Sequence, residues 1–240
     1  MISIHTQVHK KTGNISLRCM QVTLQHSKTT TDNFNRLTME MAIDTAFIQE
    51  PYIYQNQVTG ISQKHTIFAC RNGRKRAAIL VANKQIDALL ISQLSEEDIV
   101  VVEIIQCNLK FIAASIYPDI ENEITMDLHK IENILQFAKG RELLVAMNSN
   151  ARSKTWHDVL TNKRGRILEC VISNRIHIVN EDGQLPTFES NRGTSNTDLT
   201  IADNKMETQL NKWQCNEQES FSDHRIITVH IQKSKDITND

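Results

Sequence analysis

An acid and an imidazole stand side by side at Asp223 and His224, inside the run Phe-Ser-Asp-His-Arg-Ile-Ile at residues 221–227. Ile226, Ile227, Val229 and Ile231 follow, with polar Thr228 and His230 between them, and read as a buried strand that holds the pair at its mouth. An aspartate that accepts from an imidazole N–H fixes the tautomer and favours the protonated ring. On its own the dipeptide is more often a turn acid followed by a surface histidine, so the rest of the chain has to decide. Four further places put polar groups where a strand runs out: Thr23 with Gln25, Glu50, Asn148 with Asn150, and Asp198. Pro51 stops ladder pairing, which leaves Glu50 at a strand terminus, within reach of a metal or simply solvated. Carboxylates, amides and one histidine suit phosphate-ester hydrolysis. A hard cation such as Mg²⁺ takes one or two carboxylates and keeps its waters, amides hold phosphate oxygens, and imidazolium offsets charge developing on phosphorus.

The elements that must position these groups alternate between strand and helix periods. Residues 17–24 read as a first strand with a polar exit at Gln25, His26, Ser27 and Lys28. Phe34, Leu37 and Met41 then recur near helical spacing, with Asp32 or Thr31 as N-cap. A short strand at 46–49 ends at Glu50. Residues 71–76 form a basic turn with Gly73 at the bend, between strands at 66–70 and 77–81. Its cations Arg71, Arg74, Lys75 and Arg76 are candidate phosphate contacts or a solvated loop. Strands at 99–105 and 109–116 follow, the second delivering Tyr117 and Pro118. Ile124, Leu128, Ile131, Leu135 and Ala138 make the stripe of an amphipathic helix closed by Gly140. A strand at 143–147 empties into Asn148 to Arg152, a second helix follows Gly165, and another strand lies at 176–179. Arg152, Lys154, Lys163, Arg164 and Arg166 make a second basic patch. A strand-and-turn region opens at residues 185–188, and residues 193–201 turn back into a strand that carries Asp198. Trp156 and Trp213 read as packing residues. In layered α/β proteins strand ends on one edge converge on a cleft, so these remote residues can share one site.

Composition sets the bounds. With 240 residues, 40% of them apolar, and no repeat or low-complexity segment, one large α/β domain is expected over residues 17–232, with loose flanks at 1–16 and 233–240. A net charge of −1 gives no global attraction to nucleic acid, so such binding would rest on the two local patches. The five cysteines lie far apart with no Cys-x-x-Cys spacing and read as free thiols. No apolar run approaches the roughly 18 residues of a membrane span and the N-terminus lacks a signal-peptide stretch, which predicts a soluble intracellular protein with no membrane partner.

Taken in order, six motifs resemble one family. They are Phe-Ile-Gln-Glu-Pro-Tyr (47–52), Ser-Ile-Tyr (115–117), Asn-Ser-Asn-Ala-Arg-Ser-Lys-Thr-Trp-His (148–157), Leu-Pro-Thr-Phe (185–188), Thr-Ser-Asn-Thr-Asp-Leu-Thr (194–200) and Ser-Asp-His-Arg (222–225). The chain resembles the endonuclease domain of insect non-LTR retrotransposons, within the endonuclease/exonuclease/phosphatase superfamily, from Leu17 to Ile231. The resemblance implies a four-layered α/β sandwich, two mixed β-sheets packed face to face and flanked by helices. It implies Mg²⁺-dependent (or Mn²⁺-dependent) nicking of double-stranded DNA to prime reverse transcription, in the nucleus, alongside a reverse-transcriptase domain of the same polyprotein. Carried over by motif, Glu50 holds the metal with Asp223 near the metal or leaving group, Tyr117 and Asn150 contact the scissile phosphate, and Asp198 pairs with His224. Arg71, Arg74, Lys75, Arg76, Arg152 and Lys154 become expected DNA contacts. Two positions depart from the family: Asn148 stands where it has Asp, and Thr23 where it has Asn. An amide cannot take up a proton, and losing a general base typically removes about 10²- to 10⁴-fold in rate. A DNA-binding descendant with weak or no cleavage is therefore the alternative, and a phosphatase of small phosphoesters on the same scaffold a third.

Overall fold

The computed structural model describes residues 15–121, 124–172 and 176–233, so the expected flanks fall almost wholly outside it. In chain order the elements are β1 (Ile15–Thr23), α1 (Lys28–Glu40), β2 (Thr45–Gln49), β3 (Ile53–Tyr54), β4 (Gln57–Val58), β5 (Thr66–Phe68), β6 (Ala77–Val81), β7 (Asp87–Leu90), β8 (Ile99–Gln106) and β9 (Leu109–Ile116). Then come α2 (Ile124–Phe137), β10 (Glu142–Asn148), α3 (Lys163–Ile172), β11 (Ile176–Ile178), β12 (Phe188–Ser190), β13 (Gly193–Ser195), β14 (Asp198–Asp203), α4 (Asn204–Glu207), β15 (Leu210–Cys215) and β16 (Ile227–Lys233).

Two six-stranded sheets result, ordered β15-β16-β1-β2-β6-β5 and β11-β14-β10-β9-β8-β7. Each is mixed. The parallel pair β1–β2 is joined across α1 and the parallel pair β9–β10 across α2, while the remaining pairs run antiparallel. This topology brings the C-terminal ends of β1, β2, β9 and β10 to one edge. The starts of β16 and β14 join them there, with Gln21 opposite Ile227 and Asn148 opposite Asp198.

Strand side chains alternate between faces, so each strand contributes one row to the space between the sheets. Leu17, Cys19, Phe47, Ile79, Val100, Val102, Phe111, Ala113, Leu144, Ala146 and Ala202 share that inner core. On the outer faces α1 lays Phe34 and Leu37 against Met20, Val22, Ala46 and Ile48. On the far side α2 and α3 lay Ile131, Ile134, Leu168 and Ile172 against Val101, Ile112, Val145 and Leu199. The layers are therefore helix, sheet, sheet, helix, the sandwich expected. Each large side chain fully buried in this way contributes roughly 1.5–3 kcal/mol. Trp156 is fully buried and Trp213 nearly so, their indole N–H groups donating to Asn196 O and Thr200 Oγ1 at 2.9 Å each. All five cysteines are free thiols. Among the described residues no helix is long and apolar enough to cross a membrane.

Beyond shifts of one or two residues at strand ends, two helix starts differ from expectation. Helix α1 begins four residues before Asp32, capped by Ser27, whose Oγ accepts from Thr30 N at 3.2 Å. Its first turn is Lys-Thr-Thr-Thr, which carries no apolar periodicity, so the start is invisible to a hydrophobic pattern. Gly165 lies inside α3 rather than before it. A Cβ there would stand 2.0 Å from Arg152 O, so a bare Cα is what lets the helix pack against the loop after β10.

Candidate active site

Toward the shared edge the inner rows turn from apolar to polar. In β1 the row runs Leu17, Cys19, Gln21, Thr23; in β10 it runs Leu144, Ala146, Asn148; in β14, read from its far end, it runs Ala202, Thr200, Asp198. Beneath the mouth, Gln49 Nε2 donates to Ser115 Oγ at 2.9 Å and to Ala146 O at 3.3 Å, while Thr200 Oγ1 donates to Gln21 Oε1 at 3.4 Å. A polar seam thus joins the sheets one layer below the site.

At the mouth itself His224 Nδ1 donates to Asp198 Oδ2 at 2.8 Å, with both side chains under a tenth exposed. Burial pushes the imidazole toward its neutral form, but the Asp198 carboxylate outweighs it and raises the His224 pKa above the ordinary histidine value. Asp198 is positioned in turn. Thr187 Oγ1 accepts from the Asp198 backbone N–H at 3.1 Å, and Asn180 Nδ2 donates to Asp198 O at 2.9 Å. The Phe188 ring meets His224 edge-on at 4.9 Å between centroids, while Arg225 N donates to Thr187 O and Glu189 N to Asp223 O. The sequence pattern missed Asn180, which carries no signal in a loop. Thr187 and Phe188 did lie in a motif, without a role.

Asn148 closes the group. Its Oδ1 accepts from Asn150 N at 3.3 Å, and its Nδ2 donates to Thr23 Oγ1 at 3.4 Å and faces His224 Nε2 at 3.5 Å. Thr23 Oγ1 also donates to Asp198 Oδ1 at 3.5 Å. Both departing positions therefore face the Asp198–His224 pair. Asp223, the neighbour of His224, serves a different partner: its Oδ2 accepts from Gln25 Nε2 at 3.1 Å and its N–H donates to Gln25 Oε1 at 3.2 Å. The remote Asp198, not the adjacent Asp223, orients the imidazole, because Asp223 is engaged at both its carboxylate and its N–H by Gln25.

A second group lies beside the first. Tyr117 lies beside Glu50 and Asn150, and burial, then the Glu50 carboxylate, raise its pKa so that it stays a phenol. Asn150 Nδ2 donates to Pro118 O at 3.1 Å. Glu50, with a side chain 19% exposed, stands 3.6 Å from His26 Nε2. Backbone strain collects here. Gln25, His26, Glu50, Asn150 and Phe221 have φ of 48°, 54°, 47°, 50° and 60°, left-handed conformations that cost roughly 1–2 kcal/mol for residues with a Cβ.

Among the described residues no group of three or more His, Cys, Asp or Glu side chains gathers as for a protein-caged metal. Glu50 with few neighbours fits a hard cation that keeps most of its coordination as water and phosphate oxygen. The basic residues divide. Arg71, Arg74 and Lys154 are exposed, as are Lys163 and Arg166. Lys75 and Arg76 are buried at 3% and 9% exposure, Arg76 pairing with Asp98 at 2.5 Å and with Asp119, so neither is a surface DNA contact. Arg152 is held by Asp158 at 2.8 Å, and Arg164 donates to Ser149 O at 3.1 Å and Asp119 O at 3.0 Å, brackets for the loops that carry Asn150 and Tyr117.

The family model described as Endonuclease-reverse transcriptase matches residues 111–228. The 115 kDa protein in type-1 retrotransposable element R1DM of Drosophila melanogaster is 25% identical over 194 residues, 77% of this chain and 19% of that protein. The retrovirus-related Pol polyprotein of type-1 retrotransposable element R1 of Bradysia coprophila is 22% identical over 189 residues, 74% of this chain and 19% of that protein. The chain thus spans about a fifth of the length of these curated relatives. The solved endonuclease domain of TRAS1, a telomere-specific non-LTR retrotransposon, superposes with a TM-score of 0.84 at 26% identity, covering 92% of this chain and all of that one. An AP endonuclease from Leishmania major superposes with a TM-score of 0.70 at 8% identity, covering 91% of this chain and 88% of that one, a likeness of fold alone.

Proposed function

We propose, from the premise that this chain resembles the endonuclease domains of insect non-LTR retrotransposons and has the endonuclease/exonuclease/phosphatase fold, that it nicks double-stranded DNA by phosphodiester hydrolysis. Within a full-length element the nick would prime reverse transcription of the same polyprotein's RNA on chromosomal DNA in the nucleus. The observation that carries this reading is the buried Asp198–His224 pair opening into the mouth shared by both sheets, with Asn148 against its free nitrogen.

In this reading a phosphate seated at the mouth receives hydrogen bonds from Tyr117 and Asn150 on its non-bridging oxygens. His224, held by Asp198 and charged to a higher pH than a free imidazole, offsets the negative charge that builds as water adds to phosphorus and the bond to the leaving oxygen breaks. Glu50, with Asp223 toward the leaving group, would hold a divalent cation, Mg²⁺ or Mn²⁺, which when bound screens the phosphate and the departing oxygen. The water's proton needs an acceptor, and position 148 offers an amide. Nicking is therefore slow in this chain. The same substitution favours the second reading, a DNA-binding module with little cleavage.

Supercoiled-plasmid nicking separates the two. Asn148→Asp is expected to raise the Mg²⁺-dependent rate by about 10²- to 10⁴-fold, with His224→Ala abolishing the gain. A chain that binds DNA while Asn148→Asp and Asn148→Asp/Thr23→Asn both leave it silent is the second reading.

A further inference from the structure

His26 follows β1 in a left-handed conformation and is fixed at one ring nitrogen. Its Nδ1 lies 2.9 Å from Pro51 O, and a carbonyl can only accept, so Nδ1 carries the hydrogen. In the neutral ring Nε2 is left with its lone pair, and that atom points to Glu50 Oε1 at 3.6 Å. An N–H given to a backbone carbonyl with a lone pair on the other nitrogen is the arrangement that orients histidine as a metal ligand. Two donors each about 2.1 Å from one ion stand roughly 3–3.5 Å apart, close to the separation here. A cationic group is already drawn to the spot: Arg74 Nη2, from the exposed basic turn, lies 3.3 Å from the same Nε2. Thr23, where the family has a longer amide, is tied to Asn148 and Asp198 and turned to the imidazole side of the mouth.

We propose that His26 Nε2 and Glu50 Oε1 together hold the divalent cation of this site, one nitrogen and one carboxylate oxygen, with Arg74 released toward the DNA phosphate when the ion binds. This rests on the reading of Glu50 as the metal-holding carboxylate. An imidazole donor shifts preference from Mg²⁺ toward first-row transition cations. The pair leaves the remaining positions to water and phosphate, as the sparse donor set requires.

Mn²⁺ tests it, bound to the whole chain with and without a short DNA duplex. Binding is read by calorimetry and the ligand atoms by nitrogen modulation in pulsed electron paramagnetic resonance. The variants are His26→Gly, which suits the left-handed backbone, and Glu50→Gln, with thermal melting to confirm that both fold. The expected result is imidazole-nitrogen modulation in the unmodified chain that disappears in His26→Gly, together with at least ~10-fold weaker Mn²⁺ binding. Nitrogen modulation or affinity unchanged in His26→Gly, with binding lost in Glu50→Gln, overturns the histidine ligand and leaves Glu50 standing. Mn²⁺ binding by none of the chains overturns both.

Discussion

Asn148 occupies a point where three hydrogen bonds meet, and the chemistry of its two terminal atoms sets what the imidazole can do. The amide nitrogen faces His224 Nε2 and so favours an imidazole that accepts there. A carboxylate in its place would accept from Nε2–H while its other oxygen kept the bond from Asn150 N. One oxygen exchanged for nitrogen thus removes both a proton acceptor and the partner of a charged ring. Asp158 shows the opposite case, a carboxylate whose charge the fold secures. Its side chain is fully buried and accepts from Arg152 Nε and Nη2, from Asn196 N at 2.7 Å and from Leu160 N at 3.1 Å. Burial alone would raise its pKa, but Arg152 and the two backbone N–H groups prevail and lower it. A folded-state pKa below the unfolded value of about 3.9 means stability that is present above that pH and lost as pH falls through the folded value. Asp158→Asn is expected to cost about 1–3 kcal/mol at pH 7 and to flatten the fall of Tm below about pH 4, read by thermal melting across pH. This pairing was not legible in the sequence, where Arg152 looked like part of a basic patch, because nothing in residue order says which carboxylate a cation meets.

Strands and helices were more legible than the contacts between them. The stripe of α2 and the apolar runs of β8, β9 and β10 report burial directly, and all four elements lie within a residue of where the pattern puts them. Convergence of strand ends was readable for the same reason, since Thr23, Asn148 and Asp198 each continue an inner row. The polar seam was overlooked, although Gln21, Gln49, Ser115 and Thr200 occupy that register too, a period-2 signal hidden by reading strands as uniformly apolar. Close approach of backbone leaves no pattern at all, and Gly165 in α3 is the instance. Gly165→Ala would force its Cβ against Arg152 O. Overpacking of this kind is expected to destabilise by roughly 1–3 kcal/mol, seen as a lower denaturation midpoint, despite the better helix propensity of alanine. Because the same loop carries Asn150, that substitution should also lower nicking by the Asn148→Asp protein.

For the molecule as a whole, a formal charge of −1 goes with few outward-facing cations in the two basic patches. Arg76, Arg152 and Arg164 bind the protein to itself, leaving Arg71, Arg74, Lys154, Lys163 and Arg166 for phosphates. Each phosphate contact contributes about −0.9 to the slope of log affinity against log salt, so fluorescence anisotropy on a duplex should give a slope no steeper than about −4.5. Lys154→Ala should make it shallower by about 1, whereas Arg152→Ala should leave the slope alone and lower Tm. The ladder between β1 and β16 has a further consequence at its other end. Ile15 stands opposite Lys233, eight residues and roughly 26 Å along the strand from Thr23. The described start of β1 and end of β16 therefore lie side by side, on the side of the sheet remote from the cleft.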